Sequence, residues 1–129
     1  MFYIDDGHRA RFEDALRASG ALKTDGKISA YYGASLYLLT GLTGAWPRLS
    51  QYVELGCIDF PEILDNVVLS SGERLIVQLA GNFYNGGFWE ASPLDLVGEL
   101  DVESFALCLE ALRARKTGLV YCSGEVSTA

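Results

Sequence analysis

A single histidine limits the acid–base chemistry open to this chain. His8 is the only imidazole in 129 residues, so a Ser/His/Asp or Cys/His nucleophile would need it as base, with Asp5 or Asp6 to orient the ring. No GxSxG motif accompanies it, and the plainer reading is a partly exposed helix residue beside acidic neighbours. Paired carboxylates are the other route to general acid and base, and Asp5/Asp6, Glu62/Asp65 and Glu99/Asp101/Glu103 are the candidate sets. Yet Asp59, Glu62, Glu73, Asp95, Asp101 and Glu103 all fall at or near expected helix N-termini. A negative charge there stabilises the helix by about 0.3–1 kcal/mol with no catalysis involved. No catalytic residue is assigned.

Metal and nucleotide chemistry fare no better. Cys57, Cys108 and Cys122 are widely spaced, form no CxxC pair and have one histidine to join them, which is short of a structural zinc set. The glycine clusters "GLTG" and "YNGGF" match neither GxxxxGK[ST] nor GxGxxG. No metal and no cofactor are expected. The densest concentration of recognition-type residues is "AGNFYNGGFWEASPLD", residues 80–95. Asn85-Gly86 or Gly86-Gly87 can close one helix, and Ser92-Pro93 can open the next as cap and first-turn residue. Phe88 and Trp89 between them would fold back on the core. Asn82 lies close to the apolar face and needs partners for its amide, which backbone groups of the loop can supply. Tyr84, Asn85 and Trp89 could instead form a binding surface with Asn82. The stretch reads first as a helix-to-helix junction and second as a site.

The elements that would hold these residues are read from period and caps. Asp5 or Asp6 is expected to cap a first helix that places Ile4, His8, Phe12, Ala15 and Leu16 on one side and stops at Gly20. A second helix from about Thr24 or Asp25, "GKISAYYGASLYLLTG", is apolar widely enough to be central and ends at Gly41 and Gly44. Trp46-Pro47 opens a short third helix, and Asp59 with Pro61 a fourth. Ser70 and Glu73 have capping-box spacing before "RLIVQLAGNFYNG", whose Leu75, Ile76, Leu79, Ala80 and Phe83 form a stripe. Ser92-Pro93 begins a one- or two-turn helix. Asp101 caps the last helix, with Val102, Phe105, Leu109 and Leu112 expected to face the core. The fold class predicted is all-α: a compact single-domain bundle of about five to six short helices over residues 1–116, with 117–129 a flexible C-terminal tail. Only "NVVLSS" and "GLVYCS" would suit short strands.

Half of the residues are hydrophobic and about a fifth charged, a globular profile. No apolar run approaches the ~20 residues of a membrane span, and the N-terminus lacks the basic-then-apolar order of a signal peptide. A cytoplasmic protein without membrane contact is expected. Charge is uneven. Residues 1–53 hold six bases and five acids, whereas residues 54–129 hold four bases and twelve acids. Between Glu54 and Glu110 the one base is Arg74. Such a field repels phosphates, so direct nucleic-acid binding is disfavoured and a basic protein partner is favoured.

The segments "FYIDDGHRARFEDAL", "LYLLTG", "SSGERLIVQLAGNFYNG", "SPLDL" and "LDVESFALCLEALRAR" resemble a family of small proteins of unknown function from Gram-positive bacteria and their phages or mobile elements. The resemblance covers roughly residues 2–115 and leaves the tail outside. It implies a helical single domain and supplies no catalytic residues. The leading expectation is a small acidic, non-enzymatic protein-interaction module. In a phage or mobile-element setting it would inhibit a basic, nucleic-acid-handling host defence protein by presenting carboxylates in place of phosphates. The candidate binding residues are Asn82, Tyr84, Asn85 and Trp89 at the junction, and Glu62, Asp65, Glu99, Asp101 and Glu103 among the acids. The alternatives are a small enzyme or ligand-binding protein using His8 or the Asn82–Trp89 junction, and a homo-oligomer built through an exposed aromatic patch.

Overall fold

Helix α2 (Ala30–Gly41) lies at the centre of the molecule, and its composition explains why. It carries no charged side chain, and every residue from Tyr32 to Gly41 is buried. A helix apolar on all sides has to be surrounded. In the computed structural model, which describes residues 1–88 and 90–129, α1 (His8–Ala18), α5 (Ser71–Asn85) and α7 (Val102–Thr117) pack around it. Two glycines of α2 set how closely its neighbours approach. A β-carbon on Gly33 would lie 2.9 Å from Ile28 Cγ2, and one on Gly41 2.9 Å from the Leu107 methyl groups.

Helix starts in the second half follow the caps read from the sequence. Asp59 accepts the Glu62 N–H ahead of α4 (Phe60–Asn66). Ser70 and Glu73 complete a reciprocal capping box on α5. Ser92 accepts from Asp95 N ahead of α6 (Pro93–Glu99), and Asp101 from Ser104 N at α7. Pro47, Pro61 and Pro93 occupy first turns, the first of them in α3 (Trp46–Leu49). There the missing N–H costs nothing. Gly86, at φ +81°, closes α5 in the left-handed conformation.

The chain is mostly helical rather than all-α. The described residues hold seven α-helices, more than the five to six expected, and five short strands in two sheets. The second helix begins at Ala30, later than expected, because Lys27–Ile28 form β1. Asp5 and Asp6 do not cap α1. Gly7 is the N-cap residue, and Asp5 turns back to accept the Gly7 N–H at 2.9 Å. Beyond α3 and a single 3-10 turn, β2 (Val53–Glu54) and β3 (Cys57–Ile58) make a small hairpin.

The segment 117–129 is not a loose tail. It forms β4 (Leu119–Cys122) and β5 (Glu125–Thr128), joined by Ser123-Gly124 with φ of 56° and 84°. Two positive φ values in a two-residue loop match the right-handed twist of the paired strands. β4 sits between β5 and β1, with Ile28 opposite Leu119, and buries Leu119 as β5 buries Val126. A second difference concerns α7, which buries Leu107, Cys108, Glu110, Ala111 and Ala114 and turns Val102, Leu109 and Leu112 outward. Small residues let α7 lie close against α2, so the face with the smaller side chains, not the one with the larger, meets the core. Among the described residues no helix is long and apolar enough to cross a membrane.

Candidate functional site

The imidazole of His8 is buried and fully engaged. Its Nε2 lies 2.9 Å from the Tyr37 carbonyl and its Nδ1 3.2 Å from the Ile4 amide. Nδ1 must therefore accept the Ile4 N–H, and Nε2 must carry the proton it donates to Tyr37. Burial pushes the pKa down to about 4. The aromatic rings of Tyr3, Phe12 and Tyr37 enclose the imidazole. Neither expectation for this residue survives, since it is not partly exposed and has no free nitrogen to serve as base. Asp5 does not orient it. That carboxylate is held below its usual pKa by the Thr43 hydroxyl first and by Arg11 and the Gly7 amide after it. His8 instead fixes the arm that precedes α1. The arm is tied further by the Tyr37 hydroxyl, which donates to the Phe2 carbonyl, and by Glu110, which accepts the Phe2 N–H at 2.7 Å.

At the junction after α5, the polar side chains serve the loop. Asn82 Nδ2 donates to the Gly87 carbonyl at 3.0 Å, and Asn85 Oδ1 accepts the Gly87 N–H at 2.9 Å. Held this way, the chain turns Phe88 back against Gly81, where a β-carbon would come within 2.5 Å of the ring. Phe88 adopts φ 57° to do so. Tyr84 belongs to an aromatic group with Tyr31, Tyr32 and Phe60, at centroid separations of 5.5–5.8 Å. Its hydroxyl accepts the Ile58 N–H, which ties β3 to α5. Asn82 and Tyr84 are half-buried and Asn85 is exposed; Trp89 lies outside the described residues.

The acidic candidates divide. Glu62 and Asp65 are exposed on α4, where Glu62 accepts from Asn66 Nδ2 at 2.6 Å. Glu103 is exposed in the first turn of α7. Glu99 and Asp101 both line an open cleft of about 500 Å³ between the start of α5, the end of α2 and the α6–α7 connection. Glu73 joins them, with hydroxyls from Thr43, Ser70 and Ser104 and an apolar floor that includes Leu42 and Ile76. Glu73 was legible only as the capping-box partner of Ser70; nothing in the sequence signalled that the starts of α5 and α7 line one cleft. The Ser104 N–H holds the Asp101 carboxyl below its usual pKa, so it is ionised at neutral pH.

Among the described residues no base forms an ion pair with this group. The ion pairs lie elsewhere: Arg9 and Arg17 with Glu13, Arg9 with Glu125, Arg17 with Asp14, Arg11 with Asp5 and Arg113 with Glu110. Among the described residues, no carboxylate from Glu54 to Glu103 is paired with a base, and Arg74 gives its guanidinium to the Leu64 carbonyl. Among the same residues, no three His, Cys, Asp or Glu side chains gather as a metal site. Cys108 is buried, which pushes its thiol up to about 12, while Cys57 and Cys122 are exposed. The cleft thus offers a cationic side chain carboxylates that no described base pairs with. Comparison with family models, with curated proteins and with solved structures finds no match to this chain.

Proposed function

We propose that the protein is an acidic interaction module without catalytic activity, which receives basic side chains of a nucleic-acid-handling protein in the Glu73–Glu99–Asp101 cleft. The supporting observation is an open cleft lined by three acidic residues, Glu73, Glu99 and Asp101, and, among the described residues, by no lysine, arginine or histidine. A lysine or arginine of a partner would supply the missing charge. Exposed Glu62, Asp65 and Glu103 add to the field that steers such a partner. In the phage or mobile-element setting implied by the resemblance, the partner is a host defence protein whose nucleic-acid groove the module occupies.

The test is affinity capture from a Gram-positive bacterial lysate at about 50 mM and about 500 mM salt, analysed by mass spectrometry. Retention of a basic nucleic-acid-handling protein is expected at low salt, with a loss of roughly tenfold or more at high salt. The triple variant Glu73→Gln, Glu99→Gln, Asp101→Asn keeps both helix caps chemically possible and is expected to retain none of it. Capture that ignores both salt and neutralisation, or no capture of a basic protein at either salt, would overturn the reading.

A further inference from the structure

Residues 1–4, the arm that precedes α1, are half-buried, yet among the described residues they share no backbone–backbone hydrogen bond with any other segment. Three side-chain bonds hold them, each from a different helix. Glu110 of α7 accepts the Phe2 N–H, the Tyr37 hydroxyl of α2 donates to the Phe2 carbonyl, and His8 of α1 accepts the Ile4 N–H. Beyond Ile4 the chain is anchored again, by Asp5 on Thr43 and Arg11. Tyr3 lies between the two tied residues with its ring edge-on to the imidazole, centroids 5.2 Å apart. Its hydroxyl is buried and has no partner among the described residues. Docking the arm carries the cost of that orphaned group, and release to water removes it. A segment held by few bonds and burdened in this way belongs to the least stable part of a fold.

The Ile4 bond depends on the proton count of His8. Because Nε2 donates to the Tyr37 carbonyl, Nδ1 can accept from Ile4 only while the ring is neutral. A second proton would sit on Nδ1 and point at the Ile4 N–H, donor against donor. Burial is the largest influence on the ring and disfavours its charge; the Tyr37 carbonyl and Asp5 favour that charge, and Arg11 opposes it. α2 brings no charged side chain. On α7, Glu110 has one oxygen on the Phe2 N–H and the other on Arg113. Around Tyr3, Glu13 pairs with Arg9 and Arg17, and Arg9 with Glu125. We propose that the arm is an acid-released strap: protonation of His8 frees Met1–Ile4 as a unit while the helices stay packed, opens the imidazole and Tyr37 to water, and draws Ile4 out of the Glu73–Glu99–Asp101 cleft that it helps to line. The strap does not rest on what the cleft binds.

Docked, the ring has a pKa of about 4; released, it returns to the ordinary value of about 6.5. Docking therefore has its full strength above about pH 6.5 and weakens by up to about tenfold for each pH unit below that, until the docked ring itself titrates. Native-state amide hydrogen exchange of the full chain, corrected for the intrinsic pH dependence of exchange and followed by NMR from about pH 6.5 to about pH 4.5, tests the strap. The Ile4 amide should open far more readily than the amides of α2, and its opening should not respond to about 0.5 M urea, which lowers protection in α2. Its protection should fall several-fold to tenfold per pH unit. In His8→Leu the same protection should be low and level across the range. Tyr3→Phe removes only the orphaned hydroxyl; it should raise protection at Ile4 about fivefold or more and keep the pH slope. An Ile4 amide with the protection and urea response of α2 overturns the strap, because the arm then leaves only with global unfolding. Protection that is level with pH in the wild type, or a slope that survives in His8→Leu, overturns the His8 trigger. A Tyr3→Phe chain no better protected than the wild type overturns the part given to the hydroxyl.

Discussion

His8 shows how much one side chain can owe to its surroundings. The folded protein holds it neutral, between an N–H donor and a carbonyl, with a pKa near 4; in an unfolded chain the value is about 6.5. The folded state thus binds the proton less readily. Its advantage is complete above about pH 6.5 and drains away as pH falls toward 4, amounting to roughly 3 kcal/mol over that window. Asp5, held below its usual range by Thr43, adds a loss that sets in only at more acid pH. The interval from about pH 6.5 to 5 therefore reports His8 with little contribution from carboxylates. Urea denaturation across it should show the wild-type midpoint dropping. In His8→Leu the midpoint should start lower, for want of two hydrogen bonds, and change little. Parallel curves for the two proteins would show that the imidazole is not the titrating group.

Elements were legible where the sequence states their ends. Asp59, Ser70, Ser92 and Asp101 each name a helix start by a short-range hydrogen bond that sequence spacing reveals directly. What escaped was pairing over distance. β1 is two residues long and exists because β4, some ninety positions later, lies beside it; β4 falls in the strand-like "GLVYCS", but nothing local announces β1 or its pairing. Ser-Gly between "LVYC" and "EVST" was the available signal for the hairpin, and a run that short is easily read as a frayed end. Of the candidate site, Glu99 and Asp101 were legible as acids but the cleft they share with Glu73 was not, because it depends on how α5 and α7 pack on α2. The face of α7 was misread for a related reason: period identifies a stripe, not which side of the helix the neighbours occupy. The hairpin makes a measurable contribution. Truncation after Lys116 removes buried Leu119 and Val126 and exposes Ile28, which should cost about 3–5 kcal/mol. Equilibrium unfolding of the two chains measures it, and equal stability would return residues 117–129 to the status of a tail.

On the scale of the whole molecule, charge and connectivity divide the chain differently. Most bases near α1 are consumed by acids within the fold, so the second half keeps its negative field for whatever approaches from outside. Connectivity, by contrast, binds early residues to late ones. The Phe2 amide waits for Glu110, 108 positions further on, and β1 waits for β4. At about 5–20 residues per second, a ribosome needs roughly 5–20 s to supply that partner. Ribosome-held chains that stop before Glu110 should lose the Phe2–Ile4 arm to protease, whereas chains released with β5 in place should keep it; equal resistance would mean that the arm docks without its carboxylate. During the interval the apolar flank of α2 has neither α7 nor the arm to cover it. Vectorial synthesis therefore gives this small protein no early resting point, and its exposure to chaperones and to aggregation is set by the time taken to make its final helix.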